Sequence, residues 1–202
     1  MKPTKIEWTE ATWNPSIGCS KVSSGCKNCY AAVMARRLQV MGAAGYEDGF
    51  ELTKREHILQ LYFSGRKPPA NVWLGVTVEH EKTKHRIDVL KTIDVSIRFV
   101  SIEPLIGDVG FLNLSDIHWV IVGGESGMSA RPMNPEWAIK IQKQCADQKV
   151  AFFFKQWGTW GEDGVKRNKK MNGSSLSGKE WKEEPKVVFP CHNIPNRKLS
   201  IR

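Results

Sequence analysis

The length and composition of the chain are those of one ordinary globular domain. It has 202 residues, of which 41% are hydrophobic and 25% are charged, enough to bury a sizeable core. No apolar run approaches the ~20 residues that span a bilayer, which excludes a transmembrane protein. The first residues lack the apolar stretch of a signal peptide, so we expect a cytoplasmic location.

Positive charge is concentrated at the C-terminal end. Residues 164–202 contain ten Lys or Arg and three Asp or Glu, whereas residues 1–163 contain twenty and eighteen. A basic tail of this kind can contact phosphate backbones, but more often it is merely solvated. The charge alone therefore does not assign the protein to the nucleic-acid-binding class.

Three of the five cysteines lie in one short loop rich in Gly and Ser. Cys19, Cys26 and Cys29 have the spacing C-x6-C-x2-C, and thiols clustered in a cytoplasmic protein favour metal binding or catalysis over disulfides. They could hold three irons of a [4Fe–4S] cluster and leave the fourth iron open. They could also bind zinc with a fourth ligand such as Cys191 or His192, although the spacing fits neither common zinc pattern.

The segments around and after this loop alternate between strand-like and helix-like patterns. A strand or an extended lead-in is expected within residues 5–13, a helix at 30–41 and a short helix near 54–62. Four apolar or β-branched runs then predict strands, at 71–79, 97–103, 119–123 and 150–155. Between them, helical spacing of apolar residues predicts helices at 81–93 and 134–148. This alternation predicts an α/β fold with parallel strands.

The second of these helices and the region after the last strand carry further expectations. Asn134 and Pro135 are a good N-cap and first turn, and Cys145 lies on the apolar face of the helix, which predicts a core position. Beyond Trp160 the chain becomes basic and rich in Gly and Ser, so local propensity predicts a linker or flap.

Each predicted strand becomes polar at its C-terminal end. Parallel sheets and barrels bind ligands at that edge, so the strand ends predict an active site, the alternative being ordinary loop-entry residues that form salt bridges with one another. The candidate catalytic residues, which would line a substrate cavity, are Glu79, Glu103, Lys155 and Gln156. The third strand ends in the string Gly123, Gly124, Glu125 and Ser126.

The cysteine loop resembles the radical S-adenosylmethionine (SAM) enzymes, whose usual motif is CxxxCxxC with an aromatic residue nearby. Cys26-Lys-Asn-Cys29-Tyr30 matches the second half of that motif, and its Cys-Tyr ending is similar to the spore photoproduct lyase group. The first gap has six residues instead of three.

Most of residues 6–185 resembles the phage three-cysteine-motif family of unknown function, first described from phage gene products thirty-seven and sixty-eight. The matching segments are Trp13-Asn-Pro, Gly18-Cys19, Gly25-Cys26-x-x-Cys29-Tyr30-Ala31, Val72-Trp-Leu-Gly-Val, Arg98-Phe-Val-Ser-x-Glu103-Pro-Leu, Trp119-Val-Ile-Val-Gly-Gly-Glu-Ser-Gly127, Ala130-Arg-Pro-Met133 and Phe152-Phe-Phe-Lys-Gln-Trp-Gly158. The resemblance implies a radical-SAM-like α/β barrel with an iron–sulfur cluster, and a "three-Cys-motif partner" protein as companion.

The chain is shorter than the family pattern. About two βα units are missing before Thr53-Lys-Arg55, so the expected fold is a partial parallel TIM-type barrel that resembles the radical SAM core. We expect one domain at residues 1–185, with the cysteine loop at 18–30, and a basic extension at 186–202.

The resemblance also implies a mechanism. Cys19, Cys26 and Cys29 would hold a [4Fe–4S] cluster, whose open iron binds SAM through its amino and carboxylate groups. Reductive cleavage of SAM would give a 5′-deoxyadenosyl radical that abstracts hydrogen from a substrate. Gly123 through Ser126 would contact SAM, since a Gly-rich strand end lets backbone amides approach a ligand.

Phage context and the basic tail suggest nucleic acid or a nucleotide as the substrate. The alternatives are a zinc-stabilised, non-enzymatic nucleic-acid-binding module and a shortened family member without catalytic activity.

Overall fold

Two short strands come first in the chain, β1 (Lys2–Pro3) and β2 (Ala11–Thr12), and they pair antiparallel. The structure is a computed structural model that describes residues 2–3, 11–12, 63–66, 68 and 72–186. Several predictions concern residues outside these ranges. They are most of the strand at 5–13, the cysteine loop, the helices at 30–41 and 54–62, Cys191, His192 and the extension after residue 186.

Four parallel strands form the main sheet. In chain order they are β3 (Trp73–Thr77), β4 (Ile97–Ile102), β5 (Trp119–Gly123) and β6 (Ala151–Gln156), and they lie side by side in that order. Each begins and ends within two residues of its prediction, and all three pairings are parallel. The predicted α/β class is confirmed.

Helices follow β3 and precede β6, as predicted, but the first is divided. A 3-10 turn at Glu81–Thr83 is capped by the His80 side chain, and α1 (His85–Lys91) follows it. The second helix, α2 (Pro135–Asp147), begins at the predicted cap, where the Asn134 side chain accepts a hydrogen bond from the Glu136 amide at 2.9 Å. Cys145 is fully buried on α2, which confirms its predicted core position.

The two faces of the sheet pack differently. One face packs against α1 and α2 and forms the larger core, which includes Val100, Val122 and Phe154 from the sheet and Leu90 and Ile141 from the helices. Side chains alternate between the faces along each strand, so the residues between those apolar positions point to the opposite face.

The opposite face, called here the aromatic face, has Trp119 at its centre. The Trp119 ring makes edge-to-face contacts with Trp73, Phe99 and Phe153, at centroid distances of 6.0, 6.2 and 5.8 Å. Such pairs contribute about 0.5–1.5 kcal/mol each beyond burial. This face carries Thr77, Ser101 and Glu103 by alternation, so it is the face that turns polar toward the carboxyl ends of the strands.

Residues 157–186 fold back onto the sheet, and the predicted linker or flap is wrong. This segment contains α3 (Lys169–Asn172), β7 (Ser175–Leu176) and β8 (Lys179–Glu180). Its last part runs antiparallel along the outer edge of β6, where the Phe154 amide donates to the Trp181 carbonyl at 2.8 Å and the Glu183 amide donates to the Phe152 carbonyl at 3.2 Å. Backbone pairing with a distant strand outweighs the local composition.

Among the described residues, no helix is both long enough and apolar enough to span a bilayer.

Candidate functional site

The polar residues predicted at the strand ends meet at the carboxyl edge of the sheet. Thr77 of β3 lies opposite Ser101 of β4, and Ile102 of β4 lies opposite Val122 of β5. Extending this register by one or two residues aligns Glu79, Glu103 and Gly123 in a row across three strands. Parallel pairing without a register shift between these strands is what brings them together.

A β-bulge completes the row on the fourth strand. Val122 pairs with Phe154 but Gly123 pairs with Gln156, so Lys155 is an extra residue in β6. Without the bulge, strict alternation would turn Gln156 toward the helices. With it, both Lys155 and Gln156 reach the aromatic face beside Gly123, and a bulge commonly re-aims side chains in this way.

These residues form one hydrogen-bonded group, the polar cluster, which consists of Glu103, Ser126, Lys155 and Gln156. The Lys155 ammonium donates to one carboxylate oxygen of Glu103 at 2.9 Å, and the Gln156 amide donates to the other at 3.4 Å. The Gln156 amide also lies 3.4 Å from the Ser126 hydroxyl oxygen. The side chains of Glu103 and Lys155 are 21% and 35% exposed, so a ligand can reach both charges.

Gly123 provides the space in which the Glu103 side chain lies. A Cβ atom at Gly123 would be 3.1 Å from a carboxylate oxygen of Glu103 and 3.2 Å from its carboxyl carbon. The absence of a side chain lets Glu103 cross β5 and reach the residues of β6. This glycine therefore shapes the polar cluster directly.

The fourth candidate catalytic residue, Glu79, is buried. Its side chain is paired with Arg86 of α1, whose Nη1 lies 3.2 Å from a Glu79 carboxylate oxygen and donates to the Thr77 carbonyl at 2.8 Å. Glu79 is only 4% exposed, and a carboxylate at such depth requires a cationic or hydrogen-bonding partner. Paired with Arg86, Glu79 supports the edge of the sheet.

Glu125 forms a second buried ion pair at the same edge. Arg131 donates from Nε and Nη2 to the two Glu125 carboxylate oxygens at 2.9 and 2.8 Å, and its backbone amide donates at 2.8 Å. Hydrogen bonding to Glu125, together with the negative charges of Glu125 and Glu79, raises the pKa of Arg131 above its ordinary value. The two buried carboxylates thus act on one guanidinium.

Gly124 allows two backbone segments to touch. A Cβ atom there would be 1.9 Å from the Trp157 carbonyl oxygen. The adjoining Gly158 has φ +82°, and a Cβ atom there would be 2.2 Å from the Glu125 carbonyl oxygen. The four residues predicted to contact a cofactor therefore have different surroundings, and Gly123 and Ser126 are the two that adjoin the polar cluster.

Sequence reasoning missed Arg86 and Arg131. The sequence did contain a signal for such partners. Glu79 and Glu125 closely follow apolar strands, and a carboxylate that is buried there needs a cationic or hydrogen-bonding partner. Which arginine serves which carboxylate depends on where α1 and the loop after β5 lie. Neither position could be obtained from spacing.

The cysteine loop lies outside the described residues. Within the described ranges, the one cysteine is Cys145. Burial raises the pKa of its thiol to about 12, so it stays protonated and unreactive. Across residues 72–186 and the shorter described segments, no group of three or more His, Cys, Asp or Glu side chains is arranged to hold a metal ion.

Comparison with known proteins gives a family match. A family model described as "Protein of unknown function (DUF5131)" matches residues 3–53 and 47–185. The two matched segments overlap at residues 47–53, next to Thr53-Lys-Arg55, the point before which about two βα units are expected to be missing. No match was found among curated proteins or among solved structures.

Proposed function

The chain belongs to the DUF5131 family, and we propose that it is a radical-SAM-like iron–sulfur protein that modifies nucleic acid or nucleotides. The observation that carries this proposal is the polar cluster. Glu103, Lys155 and Gln156 come from two strands and meet at the carboxyl edge of a parallel sheet, on the face away from the helices. Enzymes with parallel α/β sheets and barrels bind substrates at this edge.

The proposed architecture is a partial barrel related to the radical SAM core. Its support is the parallel order of β3 to β6, with α1 and α2 packed on one face. The outer edge of β6 is taken by residues 181–183, so a further parallel strand cannot pair there. The proposed relationship to the phage three-cysteine-motif family also brings its companion, the three-Cys-motif partner protein, as a proposed partner.

The donor set fits a cluster with one open iron. Cys19, Cys26 and Cys29 supply three thiolates within eleven residues, which matches the requirement for three of the four irons. Cys145 is fully buried in the core and has a raised pKa, so it does not compete as a ligand. When bound, such a cluster supplies the electron that cleaves SAM.

The described residues bind and orient the reactants in this proposal. Lys155 holds the Glu103 carboxylate in place and neutralises part of its charge. A carboxylate has about four lone-pair sites, so those not used by Lys155 and Gln156 can accept hydrogen bonds from a substrate. Gln156 presents an amide between Glu103 and Ser126. Ser126 and the backbone at Gly123 are the proposed contacts to SAM, and Gly124 and Glu125 hold that backbone in position.

Metal analysis tests the proposal directly. We expect anaerobically purified protein to contain about four irons and matching sulfide per chain, with a broad absorbance near ~400 nm. Cys26→Ala should lose the iron and the absorbance, whereas Cys145→Ala is the matched control and should keep both. A colourless protein that holds one zinc would establish the alternative, a zinc-stabilised binding module.

Activity distinguishes an enzyme from an inactive family member. After reduction, the iron-loaded protein should convert SAM to 5′-deoxyadenosine, and the Cys26→Ala protein should not. Iron without any cleavage, with or without added oligonucleotide, would refute the catalytic part of the proposal and leave a shortened protein that keeps the fold.

A further inference from the structure

An exposed, basic surface adjoins the polar cluster. It is formed by residues 126–131, after β5, and residues 165–171, which include the start of α3, and is called here the basic ledge. The Lys166 ammonium donates to the Met128 carbonyl at 2.8 Å, and the Gly127 amide donates to the Thr159 hydroxyl at 2.9 Å. The first bond joins the two segments of the ledge, and the second joins the ledge to the chain that follows β6.

Part of the positive charge of the ledge has no acidic partner among the described residues. Residues 164–171 contain four cations and no acid. Arg167 is paired with Asp163, at 2.6 Å, and Lys166 is bound to a carbonyl. Lys169 and Lys170 are exposed, and neither makes an ion pair within the described part of the chain. Two lysines are therefore available to an anionic partner.

The ledge also gathers exposed apolar side chains. Across the described ranges, four large hydrophobic residues are exposed, and three of them are on the ledge: Met128 at 92%, Met171 at 75% and Val165 at 46%. Flexible methionine side chains pack against varied partners, so the ledge offers both cations and adaptable apolar contacts.

We propose that the basic ledge binds single-stranded nucleic acid, with phosphates on Lys169 and Lys170 and unstacked bases against the exposed methionines. A single strand presents charge and base faces together, whereas a duplex keeps its base faces stacked inside. An anionic membrane would favour an exposed aromatic anchor. The aromatic residue of this region is Trp160, whose indole N–H donates a hydrogen bond to the Ala130 carbonyl at 2.7 Å. Its polar atom is therefore already used within the protein.

Binding by the ledge is independent of the iron–sulfur proposal, but its role in delivering a base to the polar cluster rests on that proposal. A strand lying along the ledge would pass Ser126, the residue shared by both surfaces. The substrate class of the site would then be a base or sugar within a single strand rather than a free nucleotide.

Fluorescence anisotropy with labelled single-stranded DNA and RNA of about 20 nucleotides tests the ledge, in the full-length protein over a salt series. Each phosphate contact on a single strand adds about 0.7 to the magnitude of the slope of log K against log salt. Lys169→Ala with Lys170→Ala should therefore reduce that magnitude by about 1.4. The same double variant should weaken binding at about 0.1 M salt by about 25-fold. Lys140→Ala with Lys143→Ala is the control, since it also removes two exposed lysines but from α2. That pair should leave the slope unchanged.

Several outcomes would overturn the proposal: no binding by the wild type, equal losses in both double variants, tighter binding to duplex, or binding to phosphatidylserine vesicles without binding to oligonucleotide. Met128→Ala with Met171→Ala provides a second check, with weaker binding at an unchanged salt slope. The Cys26→Ala protein should keep oligonucleotide affinity while it loses iron, so that failure of the ledge and failure of the cluster are seen separately.

Discussion

Replacing Gly124 by alanine should destabilise the protein strongly, because the new methyl group would collide with the backbone of Trp157. Its Cβ would be 1.9 Å from the Trp157 carbonyl oxygen, about 1.1 Å inside the 3.0 Å limit of real Cβ contacts. The two segments are joined by hydrogen bonds from the Gly124 amide to the Gln156 carbonyl and from the Thr159 amide to the Glu125 carbonyl, both 2.9 Å. Separating them breaks one or both bonds, at about 1–3 kcal/mol for each buried group left unpaired.

We therefore expect a loss of about 2–5 kcal/mol in the free energy of unfolding. At roughly 2–4 °C per kcal/mol for a protein of this size, a loss of about 3 kcal/mol lowers Tm by about 6–12 °C. Urea denaturation followed by tryptophan fluorescence measures the effect. Gly107→Ala is the matched control, because its nearest neighbour is the His80 Cβ at 3.2 Å, and we expect a change within about 1 kcal/mol. Equal midpoints for the two variants would refute the close backbone approach at Gly124.

Two further predictions concern the polar cluster and one titrating residue. Gly123→Ala should shift the urea midpoint little, because the Glu103 side chain can move by a few tenths of an ångström. It should reduce 5′-deoxyadenosine formation about tenfold or more, because the Glu103 carboxylate is displaced. Unchanged activity would contradict the role of Gly123. Burial, and then the charge of Arg98, lower the pKa of His118, so its neutral form favours the folded state. Stability should therefore fall as pH drops below about 6.5, and less steeply in His118→Asn; parallel urea midpoints from pH 7.5 to 5 would contradict this.

The strands were predictable because buried strands require short runs of apolar residues, which are visible in the sequence. Residues 119–123 are buried at every position, and only a short apolar run satisfies that environment. Parallel pairing then fixes that strand ends lie at one edge, which is why Glu103 and Lys155 could be placed near each other before any contact was known. Alternation within each strand also separated the two faces correctly.

The details of the site depend on contacts that sequence spacing does not encode. The bulge at Lys155 is a one-residue slip between β5 and β6, and a slip of this size reverses the face on which Gln156 lies. The return of residues 181–183 to β6 is another long-range pairing. It brings the Glu183 carbonyl to the Trp119 indole N–H at 2.8 Å, a contact across 64 positions that local propensity for a linker cannot reveal.

The string from Gly123 to Ser126 shows how a short motif divides into separate physical roles. Gly123 leaves room for the catalytic candidate Glu103, whereas Gly124 is required by the backbone of residues 157–158. Glu125 is 6% exposed and accepts three hydrogen bonds from Arg131, so it anchors the loop that follows β5. Ser126 is exposed and lies between the polar cluster and the basic ledge. A cofactor or substrate at this edge would therefore meet Ser126 and the open backbone at Gly123, while Gly124 and Glu125 fix where those two residues lie.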